Sequence, residues 1–178
     1  MRTTILLARH GETDWNRDGV FQGHADPPLN EAGREQAREL ARRLRAVHID
    51  AVYSSDLRRA YQTAEIVAAA KGLSVVAEPG LREVDVGSWS GLTRAEIAER
   101  FPGVPRHDGE TEEAHRERVV AAVTRIARAH AGESVLVVSH GGSLRALRRH
   151  ALGDGAFVLR NCEYYRLAFE SGAYRGLD

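Results

Sequence analysis

The 178-residue chain has a single cysteine, Cys162, so no internal disulfide can staple the fold. Its stability must come from a hydrophobic core, and a lone thiol suits a reducing compartment. Without a catalytic motif around it, Cys162 reads as a half-buried strand residue. Lysine is nearly missing: Lys71 is the only one, and arginine carries the remaining basic charge, a bias ascribed to genome composition. Net charge is missing too, because Lys+Arg and Asp+Glu are equal at 25 each. No overall field recruits nucleic acid or an anionic membrane, so any anion site has to be built locally. The apolar run Ile5-Leu6-Leu7-Ala8 is too short for a signal peptide or a membrane span, and no later run reaches spanning length. A cytoplasmic protein is expected. Repeats, low-complexity stretches and linkers are absent as well, and one domain over 1–178 is expected.

What is present is an alternation of short apolar runs with longer amphipathic ones, the pattern of an α/β protein with a mainly parallel central sheet sandwiched between helical layers. Strands are predicted at Thr3 to Ala8, Ile49 to Ser54, Ser74 to Ala77, Ser134 to Ser139 and Glu163 to Phe169. Asn30 is read as the N-cap of one helix and Ser55 of another that runs to about Lys71. Thr93 to Glu96 forms a capping box, and Thr111 with Glu112 and Glu113 opens a long helix stopped by Gly132. Gly141-Gly142 leads into a last helix through Arg149, and Ser171-Gly172 turns the tail back.

Two strands end alike, one in Arg9-His10-Gly11 and the other in Ser139-His140-Gly141-Gly142. In parallel sheets ligands bind beyond the carboxyl ends of the strands, and glycines there allow close backbone approach. Each histidine alone would be structural; together they point to a site. Arg58 falls in the first turn of its helix, where a cation is electrostatically misplaced unless an anion binds there. A surface salt bridge explains it equally well, and Arg59 reads as a solvated charge. The loop 81–91 adds Glu83 and Asp85, either of which could serve as general acid and base. The other histidines, His24, His48, His107, His115, His130 and His150, lack metal-ligand spacing and read as surface or incidental, with His24 the one nearest the presumed site.

The motifs Arg9-His10-Gly11-Glu12-Thr13, Gln22-Gly23, Asp26-Pro27-Pro28-Leu29, Ser54 to Ala60, Gln62-Thr63-Ala64, Glu83 with Gly87 and Trp89, and Ser139-His140-Gly141 succeed one another in this order. Their sequence resembles that of the histidine phosphatase superfamily, the phosphoglycerate mutase-like proteins, over nearly the whole chain. The resemblance implies a phosphohistidine intermediate on His10 and a proton donor at Glu83. It implies that Arg9, Arg58 and His140 hold the phosphoryl oxygens, that Asn16 and a backbone amide near Gly141 assist, and that Gln22 and Gly23 lie at the mouth. No metal or other cofactor is expected.

The same resemblance covers hydrolases and mutases. Here the segment 102–110 and the tail after Ser171 are short, which suggests a site open to water. Arg106 and His107 in that short segment read as solvated, with substrate contact as the other reading. A phosphomonoesterase acting on a small phosphorylated metabolite is therefore the leading reading. A cofactor-dependent phosphoglycerate mutase and an inactive phospho-ligand binding module are the alternatives. Neither nucleic acid nor membrane is an expected partner, and a homodimer is left open.

Overall fold

The computed structural model describes residues 1–106, 108–154 and 156–177. In chain order it forms β1 (Thr3–Arg9), α1 (Asp14–Arg17), α2 (Glu31–Arg43), β2 (Ala51–Ser54), α3 (Arg58–Ala69), β3 (Val75–Ala77), α4 (Arg94–Arg100), α5 (Glu112–Ala129), β4 (Ser134–Ser139), α6 (Gly141–Leu152), β5 (Tyr164–Glu170) and β6 (Ala173–Leu177). The strands make one sheet in the order β3-β2-β4-β1-β5-β6. Its first four are mutually parallel, and β5 and β6 join antiparallel at the β1 edge. The mainly parallel α/β sandwich expected from the alternation is what forms.

Successive strand residues face opposite sides, so β1 feeds two cores at once. Ile5 and Leu7 join Val135, Val137 and Leu167 against Val119, Val123 and Ile126 of α5 and Leu144 and Leu147 of α6. Leu6 and Ala8 join Val52, Leu136 and Val138 against Leu40 of α2 and Ala60, Ala64 and Val67 of α3. Burial on both faces is why β1 and β4 read as continuous apolar runs rather than alternating ones. The two central strands are therefore rigid posts, and the residues just beyond their ends are held in place. Among the described residues, no helix is long and apolar enough to cross a membrane.

Most helix starts fall where capping chemistry put them. Asn30 accepts from the Gly33 amide, Thr93 and Glu96 complete a capping box, and Thr111 accepts from the Ala114 amide. Three expectations are corrected. Helix α3 begins at Arg58, with Leu57 in the cap position and no side-chain cap bond. Ser55 is drawn away because its hydroxyl bonds the His140 ring, at 2.9 Å. Cys162 is not a strand residue: it occupies the turn before β5 with φ 56°, is 2 % exposed, and burial raises its thiol to about 12. The tail does turn back at Ser171-Gly172, with both residues at positive φ, but it then pairs as β6. Ala173-Tyr174-Arg175-Gly176-Leu177 offers no alternating apolar face, so backbone pairing rather than burial makes that strand.

Candidate active site

His10 and His140 are the first residues beyond β1 and β4, and the parallel pairing of those strands brings the rings together. Their centroids lie 5.1 Å apart, edge to face. His10 is almost fully buried, and its Nδ1 lies 2.6 Å from the Gly11 carbonyl oxygen. A carbonyl only accepts, so Nδ1 carries the proton and Nε2 keeps its lone pair. Burial, then the charges of Arg59 and Arg9, hold the His10 pKa well below that of an exposed imidazole. His10 is thus a neutral ring with a defined tautomer, which a nucleophile requires.

Around it lies a cavity of about 310 Å³. Of the residues expected there, Arg9, His10, Asn16, Gln22, Gly23, Glu83 and Gly141 line it. His140 stands behind His10, fully buried. Arg58 does not belong to the site: it is exposed, and the one conspicuous bond at its position is the Asp26 carboxylate accepting from its backbone amide, 2.6 Å away. The anion inferred at the start of α3 is thus the protein's own Asp26. The next residue takes the place assigned to Arg58. Arg59, turned about 100° further around the helix, is 1 % exposed and lines the cavity. Its guanidinium donates to the carbonyls of Ala25 and Gly23, at 2.7 and 2.8 Å. Burial pulls its pKa down to about 10, so it stays charged at neutral pH. The sequence signal was available: Arg59 shares a buried helical stripe with Ala60, Thr63 and Ala64, whereas Arg58 falls off it.

Glu83 is gripped by two backbone amides, Val84 to Oε1 and Gly142 to Oε2, both at 2.9 Å. A Cβ on Gly142 would run into this carboxylate, which explains the glycine. Asp85, the other candidate acid, accepts from the Gly87 amide instead and does not line the cavity. The Glu83 backbone carbonyl is fixed from two sides, by His24 Nε2 at 2.9 Å and Arg118 Nη2 at 3.2 Å. Arg118 is itself anchored by a two-point ion pair with Glu110.

His115, read as incidental, is 5 % exposed; its Nε2 lies 2.9 Å from the Ser143 hydroxyl and 3.8 Å from Glu83 Oε1. Helical spacing could have revealed it, since 115, 119, 122, 123 and 126 form the buried stripe of α5. Arg106 is not simply solvated: it donates to the Asp85 and Glu110 carbonyls, pinning the short segment to the Glu83 loop. His107 lies outside the described residues.

One electrostatic feature stands out. Buried polar atoms are almost always paired, yet Arg9 Nε, Arg59 Nε, His140 Nδ1 and Gln22 Oε1 are buried without a partner among the described residues. All four belong to this site, and three sit on groups able to donate. Among those residues Arg9 and Arg59 also make no direct ion pair; Arg9 donates once, to the Leu159 carbonyl, and Arg59 to those of Ala25 and Gly23. A buried guanidinium, Arg59, and a half-buried one, Arg9, both without a carboxylate partner and flanking an unprotonated imidazole nitrogen, form a receptor for a tetrahedral oxyanion.

Comparison with known proteins agrees. The profile of the histidine phosphatase superfamily, branch 1, matches residues 5–176. Phosphoserine phosphatase 1 of Hydrogenobacter thermophilus is 37% identical over 160 residues, covering 84% of this chain and 76% of that protein. A probable phosphoglycerate mutase, GpmB, of Enterobacter sp. (strain 638) is 34% identical over 186 residues, covering 96% and 86%. Among solved structures, Bacillus stearothermophilus YhfR superposes with a TM-score of 0.91 at 32% identity, over 98% of this chain and 95% of that one.

Proposed function

This chain belongs to the histidine phosphatase superfamily, branch 1, and on that premise we propose that it hydrolyses a small phosphate monoester through a phosphohistidine on His10. The observation that carries this reading is the pair of carboxylate-free arginines, each with a buried, unpartnered Nε, beside the unprotonated Nε2 of His10.

In the proposed cycle the phosphoryl oxygens lie between Arg9 and Arg59. These supply the fixed positive charge that a loose phosphoryl-transfer transition state needs. His140 adds a donor at Nδ1 when Ser55 donates to its Nε2, an arrangement open to Ser55 because it accepts from the Leu57 amide. Gly141, in the first turn of α6, offers backbone polarity that favours an anion. His10 Nε2 attacks phosphorus, the ester P–O bond breaks, and the leaving alkoxide takes a proton from Glu83. The Glu83 carboxylate then takes a proton from the water that attacks the phosphohistidine. The P–N bond breaks, phosphate leaves, and Glu83 is again protonated, so the proton ledger closes within each turnover. This is metal-independent acid phosphatase chemistry of the histidine type.

The substrate class is suggested by the relatives. One is named a phosphoserine phosphatase, and another a probable phosphoglycerate mutase. The second name keeps a mutase as the competing reading. A mutase must retain and turn a bisphosphorylated intermediate, whereas the brief 102–110 segment favours water entry and hydrolysis. The test is phosphate release from an aryl phosphate and from phosphoserine in the presence of a chelator. Release that disappears in His10→Ala supports the reading. Interconversion of the two phosphoglycerates without net release would replace it with the mutase.

A further inference from the structure

A second cavity, of about 420 Å³, opens between α5 and α6 behind the His10 pocket. The two share Val84, Gly142 and Arg145. Arg106, Arg116, Arg145 and Arg149 line the second cavity along with His115, and Glu112 is the single carboxylate in its wall. In a chain of zero formal charge, four guanidiniums facing one carboxylate is a local excess.

The four are not equivalent. Arg106 is committed to two backbone carbonyls, and Arg116 reaches Glu113 at 3.4 Å on its own helix. The side chains of Arg145 and Arg149 make no hydrogen bond or ion pair with any described residue. They stand one turn apart on α6, where like charges repel. On helix α2, Arg34, Arg38 and Arg42 each pair with Glu31, Glu35 or Glu39 along the same helix face, whereas the exposed side chains of Arg58, Arg94 and Arg166 have no such partner among the described residues and line neither cavity. Arg148, between the two, has Asp154. What distinguishes Arg145 and Arg149 is that both line one cavity that adjoins the His10 pocket, with no carboxylate partner among the described residues.

We propose that this cavity seats a second anionic group of the substrate while the ester phosphate lies against His10. The substrate class is then a phosphate monoester that also carries a carboxylate or a further phosphate, not the phosphate of a simple alcohol. Arg145 stands on the rim that the two cavities share, and Arg149 and Arg116 lie beyond it, so the second group extends across Gly142. The planar guanidinium fork suits either oxyanion. This inference rests on the His10 pocket being the phosphoryl site.

The experiment is a selectivity ratio. kcat/KM is measured for 3-phosphoglycerate, for 1,3-propanediol bisphosphate and for glycerol 3-phosphate, which lacks the second anion. Each of the first two is divided by the third. In Arg149→Met one ratio falls about fivefold, the effect expected of an exposed ion pair, and Arg149→Lys restores most of it. In Arg145→Met the fall is larger. The ester whose ratio falls identifies the group as carboxylate or phosphate. For esters that turn over slowly, competitive inhibition of aryl phosphate hydrolysis reads the same ratio. Ratios that stay at the wild-type value in both methionine variants overturn the proposal. Aryl phosphate hydrolysis that survives His10→Ala would instead remove the reading it rests on.

Discussion

The His10 pocket and the cavity behind it share a rim, but they place positive charge in different ways. In the first, Arg59 is 1 % exposed and held by two carbonyls, and His10 and His140 come directly after strands buried on both faces. In the second, Arg145 and Arg149 project from the outer part of a helix and are exposed. Desolvated, fixed charge is what stabilises a transition state, because it needs no reorganisation when the reaction occurs. Exposed charge is screened and worth much less per contact. The difference teaches where chemistry and selectivity are to be sought in this molecule: changes at the strand ends alter turnover, and changes on α6 alter which ester is preferred.

That contrast can be broken most severely at His10. His10→Ala should lower kcat for an aryl phosphate by a factor on the order of 10⁴ or more, as removal of an attacking group does in other covalent enzymes, read from initial rates; near wild-type turnover would end the account. Next come the adjacent arginines. Arg59→Met should lower kcat/KM by about 10²- to 10³-fold, the cost of losing one preorganised donor. Arg58→Met, on the exposed side, should stay within about twofold, and comparable losses in both would erase the distinction drawn between them.

A smaller effect concerns acid stability. His10, His140 and His115 are each held below the ordinary value of 6.5, by burial first in every case. Between 6.5 and the lower folded-state values the unfolded chain binds protons that the folded chain does not. The stability from neutral burial is therefore complete above pH 6.5 and is lost as pH falls below it. Each histidine contributes a slope of up to about 1.4 kcal/mol per pH unit in that window. Chemical denaturation at a series of pH values should show more than one proton taken up on unfolding, with one fewer in His115→Gln; a flat profile below pH 6.5 would contradict the burial of these rings. The smallest expected effect is at Cys162. With its thiol buried and raised to about 12, the native protein should resist thiol-specific labelling at pH 8 and react fully once unfolded, and rapid native labelling would count against that packing.

Much of this was legible in the sequence because the strand ends carry it. The motif order pointed to His10, Glu83 and His140, and capping chemistry placed α2, α4 and α5. Adjacent arginines were not separable by helix-dipole reasoning alone, because the anion at the start of α3 comes from Asp26, 32 positions upstream of Arg58. A buried partner also explains Ser55: its hydroxyl looks like a cap until His140, 85 positions away, is brought to it. His115 was missed for the opposite reason. Its helical stripe was visible, but a histidine among valines and alanines reads as incidental until Ser143 and Glu83 are found beside it. Helical stripes mark Arg59 and His115 as buried, but the partners that decide what these residues do come from distant parts of the chain.

The central claim is that a phosphoryl group passes through His10 Nε2, and trapping it there is the direct test. Glu83→Gln removes the group proposed to activate water, while an aryl phosphate has a leaving group good enough to depart without an acid. Mixing the two, quenching in alkali and mapping the phosphoryl group by mass spectrometry should place it on the peptide that contains His10. A phosphoryl group on another residue, or turnover by wild-type protein with none on His10 at any time, would contradict the account.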